Sequence, residues 1–514
     1  MTTRRAVLAG AAAIVVATRA NAATIGGAAV SCPAGRFVGE RVATVSAFRG
    51  IRYGRAERFR APVAEPPVRD PQRAVTFGPA CPQRGKRRPQ SEDCLFLNVW
   101  TVAADPAMRL PVLVWIHGGA YAFGSAADEV THGEALAARG KAVVVSVNHR
   151  LNALGYLYLA RFDPQLPDSG NAGQLDLVLA LRWVRDNIAA FGGDPARITL
   201  IGQSGGGAKI ATLMAMPAAH GLFHRAVTMS GQQVTVAGPA RATARARAIL
   251  TRLDMRKPAT LATMPVDRLL DALATPDPFE RGSVDMGPVL DGTWLTRHPF
   301  WPDAHPNGLG VDLMLGGTRD ETRDFFDPSS DEMRQLDWAS LPDRLAAELP
   351  IDAPPETIVA AYRRHSPDLS PADIFYRAST DGRSWRPQVM EAEARARAGR
   401  PAHIYQLDFP SPARAGRGAF HGLDIALFFG TLDASDAGTG TGPEARALSR
   451  LMQDRLLAFA ATGNPTSSGM TPWPSYELDH RATMIFDARS RIERDPRRWQ
   501  RELFAPYPYT QPGT

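Results

Sequence analysis

Arg197-Ile198-Thr199-Leu200-Ile201-Gly202-Gln203-Ser204-Gly205-Gly206-Gly207-Ala208 is the stretch on which the fold turns. Its first half, Arg197 to Ile201, reads as a buried strand, because apolar and β-branched residues run without a break. Gly202 to Gly206 then matches G-x-S-x-G, and a helix is predicted from about Gly206 to Met216. The spacing has a steric reason. A serine held on a tight strand-to-helix turn needs glycine on either side, since side chains at 202 and 206 would collide with the strand and helix backbones. The bland alternative is a plain glycine-rich turn. The strand before Ser204 and the helix after it weigh against that and make Ser204 a candidate nucleophile.

Working outward, Leu110 to Ile116 is another continuous apolar run, expected of a strand buried on both faces. It leads into His117-Gly118-Gly119-Ala120, where a glycine pair exposes backbone N–H groups. With the N–H of Gly205, those of Gly118 and Gly119 are candidates to bind the oxyanion formed when a serine attacks an acyl carbon. Further strands are predicted at Leu95 to Val102, Ala142 to Val147, Ala226 to Met229, Leu313 to Leu315 and His403 to Phe409, with Thr483 to Asp487 the last. Phe37 to Tyr53 alternates and reads as an antiparallel hairpin region. Leu177, Leu181, Val184 and Ile188 recur at helical spacing within 174–190, and Pro443 opens a helix that runs to Ala461. Strands alternating with helices predict an α/β fold with a mostly parallel, doubly wound sheet. Residues 233–310 and 328–400, rich in Arg and Ala and broken by Pro, read as mainly helical insertions around the active site.

The general base should be a histidine downstream of the serine, with the acid between them. His365, His403, His421 and His480 are the choices. His365 lies in a charged helix, His403 at a strand start and His480 in a polar turn. His421, in Gly418-Ala419-Phe420-His421-Gly422, sits on a loop after a strand, where an imidazole can reach the sheet edge. The strand Leu313 to Leu315 is followed by Arg319-Asp320-Glu321-Thr322. Both Asp320 and Glu321 are candidates on physical grounds. Tyr121, Phe325, Phe326 and Phe420 are candidates for apolar walls, with core packing the competing role.

The 514 residues, 44% hydrophobic and 22% charged, are ordinary globular composition with ample length for a large core. The N-terminus departs from it. Arg4 and Arg5 precede an apolar stretch from Ala6 to Ala17, and Ala20-Asn21-Ala22 is an A-x-A cleavage pattern. Residues 1–22 are therefore expected to be a signal peptide, with a twin-arginine character, followed by one hydrolase domain over 23–514 in the periplasm or outside the cell. No other stretch is long and apolar enough to span a bilayer. Removing 1–22 takes away Arg4, Arg5 and Arg19 and no acid, so the formal charge of +7 falls by three. What remains is a mild balance and not a nucleic-acid signature. Lys86-Arg87-Arg88 reads as a solvated loop. Cys32, Cys81 and Cys94 are not spaced like a zinc site.

Jointly these residues carry a family resemblance. From about Phe37 to Phe504 the chain resembles the type-B carboxylesterases, which include para-nitrobenzyl esterases and cholinesterases. The landmarks are Ser91-Glu92-Asp93-Cys94-Leu95-Phe96-Leu97-Asn98-Val99, Trp115 to Tyr121, Asn171-Ala172-Gly173 and Phe191-Gly192-Gly193-Asp194-Pro195. The Ser204 turn, Met229-Ser230-Gly231, Pro288 to Gly292, Asp320-Glu321 and His421-Gly422 complete them. The resemblance implies an α/β-hydrolase fold and hydrolysis of small-molecule carboxylic esters without a metal or organic cofactor. It implies Glu321 as the acid, His421 as the base, Gly118, Gly119 and Gly205 as the oxyanion hole, and Ser230 as a hydroxyl bonded to the acid. It also implies a Cys81–Cys94 disulfide. Three positions depart from the family pattern. Gln203 stands where Glu is usual, Gly205 where Ala is usual, and Asn148-His149-Arg150 where the family has Asn-Tyr-Arg. Losing the Glu removes a negative charge beside the acyl site and argues against a preference for choline-like esters. A non-catalytic binding module on the same fold is the rival class, but such members usually lack the serine, the acid or the histidine. A lipase would need an apolar lid, and Pro82 to Pro89 is short and polar.

Overall fold

The computed structural model describes residues 28–85, 89–255 and 258–513. The expected signal peptide and Lys86-Arg87-Arg88 lie outside them. The central sheet has eleven strands. In chain order they are β1 (Glu40–Val42), β2 (Val45–Arg52), β3 (Phe96–Thr101), β4 (Leu110–Ile116), β5 (Val143–Val147) and β6 (Gly193–Gln203). They continue with β7 (Arg225–Met229), β8 (Asp312–Thr318), β9 (His403–Leu407), β10 (Ala482–Phe486) and β11 (Arg491–Arg494). Across the sheet the order is β11-β10-β9-β8-β7-β6-β4-β5-β3-β2-β1. Neighbours from β10 to β5 are parallel. Antiparallel pairing is confined to the two flanks.

The continuous apolar runs are explained by burial on both faces. In β4, Val112, Val114 and Ile116 enter one core, while Leu113 and Trp115 enter the other. β5 divides the same way, with Val143, Val145 and Val147 on one side and Val144 on the other. Against the first core pack α1 (Ala172–Asn187) and α2 (Gly205–Ala215), through Leu177, Leu181, Val184, Ile210 and Leu213. Helix α3 (Pro239–Arg252) adds Ile249 and Leu250 to the same core. The region 328–400 carries α4 (Pro371–Thr380) and α5 (Arg386–Arg397). Ile358, Tyr362, Ile374 and Phe375 give that insertion a core of its own. The second face of the sheet is covered by α6 (Leu423–Phe429) and α7 (Pro443–Thr462), through Leu427, Phe428, Leu456 and Phe459.

Three expectations need correction. The sheet does not end at Thr483 to Asp487. β11 follows, antiparallel to β10, and its Arg-Ile-Glu-Arg sequence shows no apolar run because it is an edge. Helix in 233–310 stops near Ala272, and 273–310 is mainly turns and extended chain. Cys81 and Cys94 form no disulfide. Both are buried free thiols, and the Leu151 N–H donates to Cys81 Sγ at 3.3 Å. No helix among the described residues is long and apolar enough to cross a membrane.

The topology fixes where a ligand can enter. From β4 the chain passes to β5 on one side and then returns to β6 on the other. The crevice at the strand ends of β4 and β6 is thus a switch point, the usual binding locus of an open parallel sheet. Gly202 pairs with Ile116, so Ser204 and the segment starting at His117 leave the sheet together.

Candidate active site

Ser204 stands between β6 and α2 with φ of +55° and ψ of −128°. This left-handed backbone is costly for a non-glycine residue and persists only where its surroundings enforce it. They do so by close approach. A Cβ on Gly202 would lie 2.6 Å from the Gly206 carbonyl carbon, and one on Gly206 would lie 2.1 Å from the Ile116 oxygen. The Ser204 N–H donates to the Met229 carbonyl at 2.7 Å, tying the turn to the end of β7.

The candidate acid and base come from the ends of the next two strands. Glu321 follows β8 and is fully buried. His421 Nδ1 donates to its Oε2 in a short hydrogen bond. Its Oε1 accepts from Ser230 Oγ at 2.6 Å and from the Thr318 N–H at 2.7 Å. Burial alone would favour the neutral acid, yet the imidazole and these donors hold the Glu321 carboxyl below its ordinary range. For His421, burial disfavours the charged ring, but the Glu321 carboxylate outweighs it and raises the imidazole above its ordinary value of 6.5. Because Nδ1 carries the proton shared with Glu321, Nε2 offers a lone pair. It accepts from the Gln203 amide at 3.0 Å. Phe325 covers the ring, with centroids 4.8 Å apart.

Asp320, the other carboxylate in question, faces away from the imidazole. Its Oδ2 accepts from the Ala419 N–H at 3.0 Å, and its own N–H donates to the Ala419 carbonyl at 2.9 Å. Arg323 lies 3.8 Å off. Asp320 therefore fastens the acid loop to the base loop two residues from His421, a role that sequence reasoning missed.

The glycine segment after β4 runs beside the serine, and a Cβ on Gly118 would lie 3.4 Å from Ser204 Cβ. Ala120, not considered from sequence, lines the cleft with Ser204, Gly205 and His421, whereas Gly118 and Gly119 line the adjoining cavity. Gly119 and Ala120 both have left-handed φ, +82° and +49°. Their N–H groups donate to no acceptor among the described residues. Gly205 is the first residue of α2, where an N–H has no intrahelical partner. Of the wall candidates, Tyr121 and Phe325 line the cleft. Phe326 packs on Phe375 inside the insertion core and Phe420 lies in the core under α6, so those two are structural.

Gly205 explains one departure from the family pattern. A Cβ there would sit 2.0 Å from the Ala120 oxygen, a rigid backbone atom. Gly205→Ala is expected to push the 118–120 segment away from Ser204. Turnover of a soluble ester should fall by roughly tenfold or more with the fold retained by circular dichroism. An alanine variant with unchanged kcat would show that the segment gives way freely.

The model of the carboxylesterase family matches residues 27–503. The para-nitrobenzyl esterase of Bacillus subtilis is 34% identical over 92% of this chain and 97% of its own length. The phenmedipham hydrolase of Pseudarthrobacter oxydans is 32% identical over 87% of this chain and 93% of its own. The crystal structure of a carboxylesterase from Geobacillus stearothermophilus superposes with a TM-score of 0.83 at 33% identity, covering 93% of this chain and 99% of that one. A buried carboxylate–imidazole pair beside a serine on a left-handed turn, at the switch point of such a sheet, fits these likenesses. The chain belongs to the carboxylesterase family and is a serine hydrolase of carboxylic ester bonds with the α/β-hydrolase fold.

Proposed function

We propose that this protein hydrolyses esters in two steps through an acyl-enzyme on Ser204, with His421 as general base and Glu321 as its orienting acid. One observation carries the reading. The buried Glu321 carboxylate is bonded to Nδ1 of the imidazole that shares the cleft with Ser204. As Ser204 Oγ attacks the acyl carbon, His421 Nε2 takes its proton, and the carbonyl oxygen gathers negative charge. Backbone N–H groups of the 118–120 segment and of Gly205 receive that charge. His421 then passes the proton to the leaving alcohol oxygen as the C–O bond breaks. Water attacks the acyl-enzyme with the same base, releasing the acid and restoring Ser204. At rest Gln203 occupies the Nε2 lone pair, so its amide yields when the serine hydroxyl turns toward the ring.

The reading supports export as well, on the N-terminal pattern Arg4-Arg5, Ala6 to Ala17 and Ala20-Asn21-Ala22. Protein recovered from outside the cytoplasm should begin near Ala23 by N-terminal sequencing. Recovery there with Met1 intact would reject a cleaved signal.

Ser204→Ala should lower kcat by roughly 10⁴- to 10⁶-fold and abolish labelling by an organophosphate. Labelling that survives in this variant would place the nucleophile elsewhere.

The pH profile tests the base and its partner together. The base must be neutral, so kcat/KM should rise with pH through a midpoint above 6.5, because the His421 pKa is raised. Glu321→Gln removes the cause of that shift. It should move the rising limb to lower pH and cut kcat by up to ~10⁴-fold, since the amide favours the wrong tautomer. Asp320→Asn keeps an oxygen that accepts from Ala419 and should change both far less. The reverse order of the two variants, with both folded, would make Asp320 the acid.

A further inference from the structure

Beneath the His117–Ala120 segment lies a charged group that the two-step scheme leaves idle. Lys209, in the second turn of α2, is completely buried. Its Nζ donates to the Ala120 carbonyl at 2.8 Å and to the His117 carbonyl at 3.2 Å, the two ends of the segment. It also stands 5.4 Å from the centre of the Tyr121 ring, within range of a cation–π contact. No carboxylate pairs with it among the described residues. The two imidazoles packed nearby, His117 and His149, stack at 4.5 Å and are held neutral by burial, with the ammonium adding to the effect. The cluster thus holds one cation and only dipoles to meet it.

Burying an ammonium without a counter-ion is costly, and burial pulls its pKa from 10.5 down to about 7. A core position so near the nucleophile would be filled more cheaply by an apolar residue. The bonds it makes show what the lysine does instead. The residues Gly119 and Ala120 both have left-handed φ, which turns the Ala120 oxygen inward against α2. There it meets Lys209 Nζ and passes so close to Gly205 that no side chain fits. The Gly118 carbonyl is bonded in turn to His117 Nδ1 at 3.0 Å. Since N–H and C=O of one peptide point opposite ways, drawing back the His117 and Gly118 carbonyls turns the N–H groups of Gly118 and Gly119 the other way, and the Gly119 carbonyl, opposed to the Ala120 N–H, is taken by the Ala122 and Phe123 N–H groups.

We infer that Lys209 is a positioning residue for acyl transfer: its amino group anchors both ends of the 117–120 segment, keeps the intervening N–H groups toward Ser204 and, in its protonated form, sets a positive charge behind the developing oxyanion. This rests on Ser204 being the nucleophile. A preorganised charge in a dry site acts on the transition state, where negative charge has developed, more than on the neutral ester.

The test compares the full-length protein with Lys209→Met, which keeps the length and loses charge and donors, and with Lys209→Gln, which keeps a donor without the charge. Kinetics use a soluble, neutral nitrophenyl ester. Binding uses a trifluoromethyl ketone, which forms a tetrahedral adduct with the serine, and the corresponding alcohol, which forms none. In Lys209→Met, kcat should fall roughly 10- to 100-fold with KM nearly unchanged. Ketone affinity should fall by a similar factor while alcohol affinity holds, and Lys209→Gln should lie between. Unchanged kcat and ketone affinity in a folded variant would overturn the inference. So would equal losses for ketone and alcohol, which would mean a collapsed pocket, or failure of both variants to fold, which would make Lys209 a stability residue. A wild-type protein that is not labelled at Ser204 would instead refute the reading of the site itself.

Discussion

The backbone at Ser204 is the constraint around which this molecule is arranged. A serine at φ of +55° costs about 1–3 kcal/mol locally, and the surroundings must supply that cost. They do so by contact. Gly206 fits against the Ile116 carbonyl, and Gly231 fits against the Ser204 carbonyl, where an added Cβ would come within 1.9 Å. The turn is locked between β4 and the end of β7, so the hydroxyl stands at the point where the strand order reverses. The buried apolar runs of β4, β5 and β6 make those neighbours stiff enough to impose the strain.

The candidate acid and base are held by the same logic of paired loops. Glu321 and His421 are a hundred positions apart in the chain, yet the loops that carry them exchange two hydrogen bonds through Asp320 and Ala419 as well as the bond between the pair themselves. The charge on the imidazole is set from the Nδ1 side, by a carboxylate with three donors. On the Nε2 side stands a neutral amide. With Gln203 in place of an acid, the cleft carries no negative group from that position.

Much of this was legible in the sequence because burial on both faces leaves a plain mark. Leu110–Ile116 is an apolar run whose alternate residues serve two cores, and the observed strand coincides with the expected one. The α/β-hydrolase arrangement follows from such runs alternating with helices. What escaped notice lacks a periodic signal. β11 is a charged edge of four residues, and 273–310 is extended chain held by its neighbours. Ala120 carries no glycine signature, although its left-handed φ lets its backbone face the cleft. Lys209 looks like an ordinary helix residue until its side chain is traced to the carbonyls it meets. The Cys81–Cys94 bridge was an inference from likeness, and the structure has two buried thiols there instead. Glu321 and Asp320 were equivalent on physical grounds, and only the directions of their side chains separate them.

The two margins of the sheet are surfaces that other chains can meet. One ends in Arg491-Ile492-Glu493-Arg494 and the other in Glu40-Arg41-Val42, both at least partly exposed. An eleven-stranded sheet offers at each rim a row of unpaired N–H and C=O groups on which a foreign strand can grow. Alternating charges make that growth unfavourable, because an approaching chain must strip water from arginine and glutamate side chains before it can pair. A protein whose interior is a wide, very apolar sheet therefore keeps its β-structure from propagating into a neighbour, and it does so with seven residues at its two rims rather than by closing into a barrel.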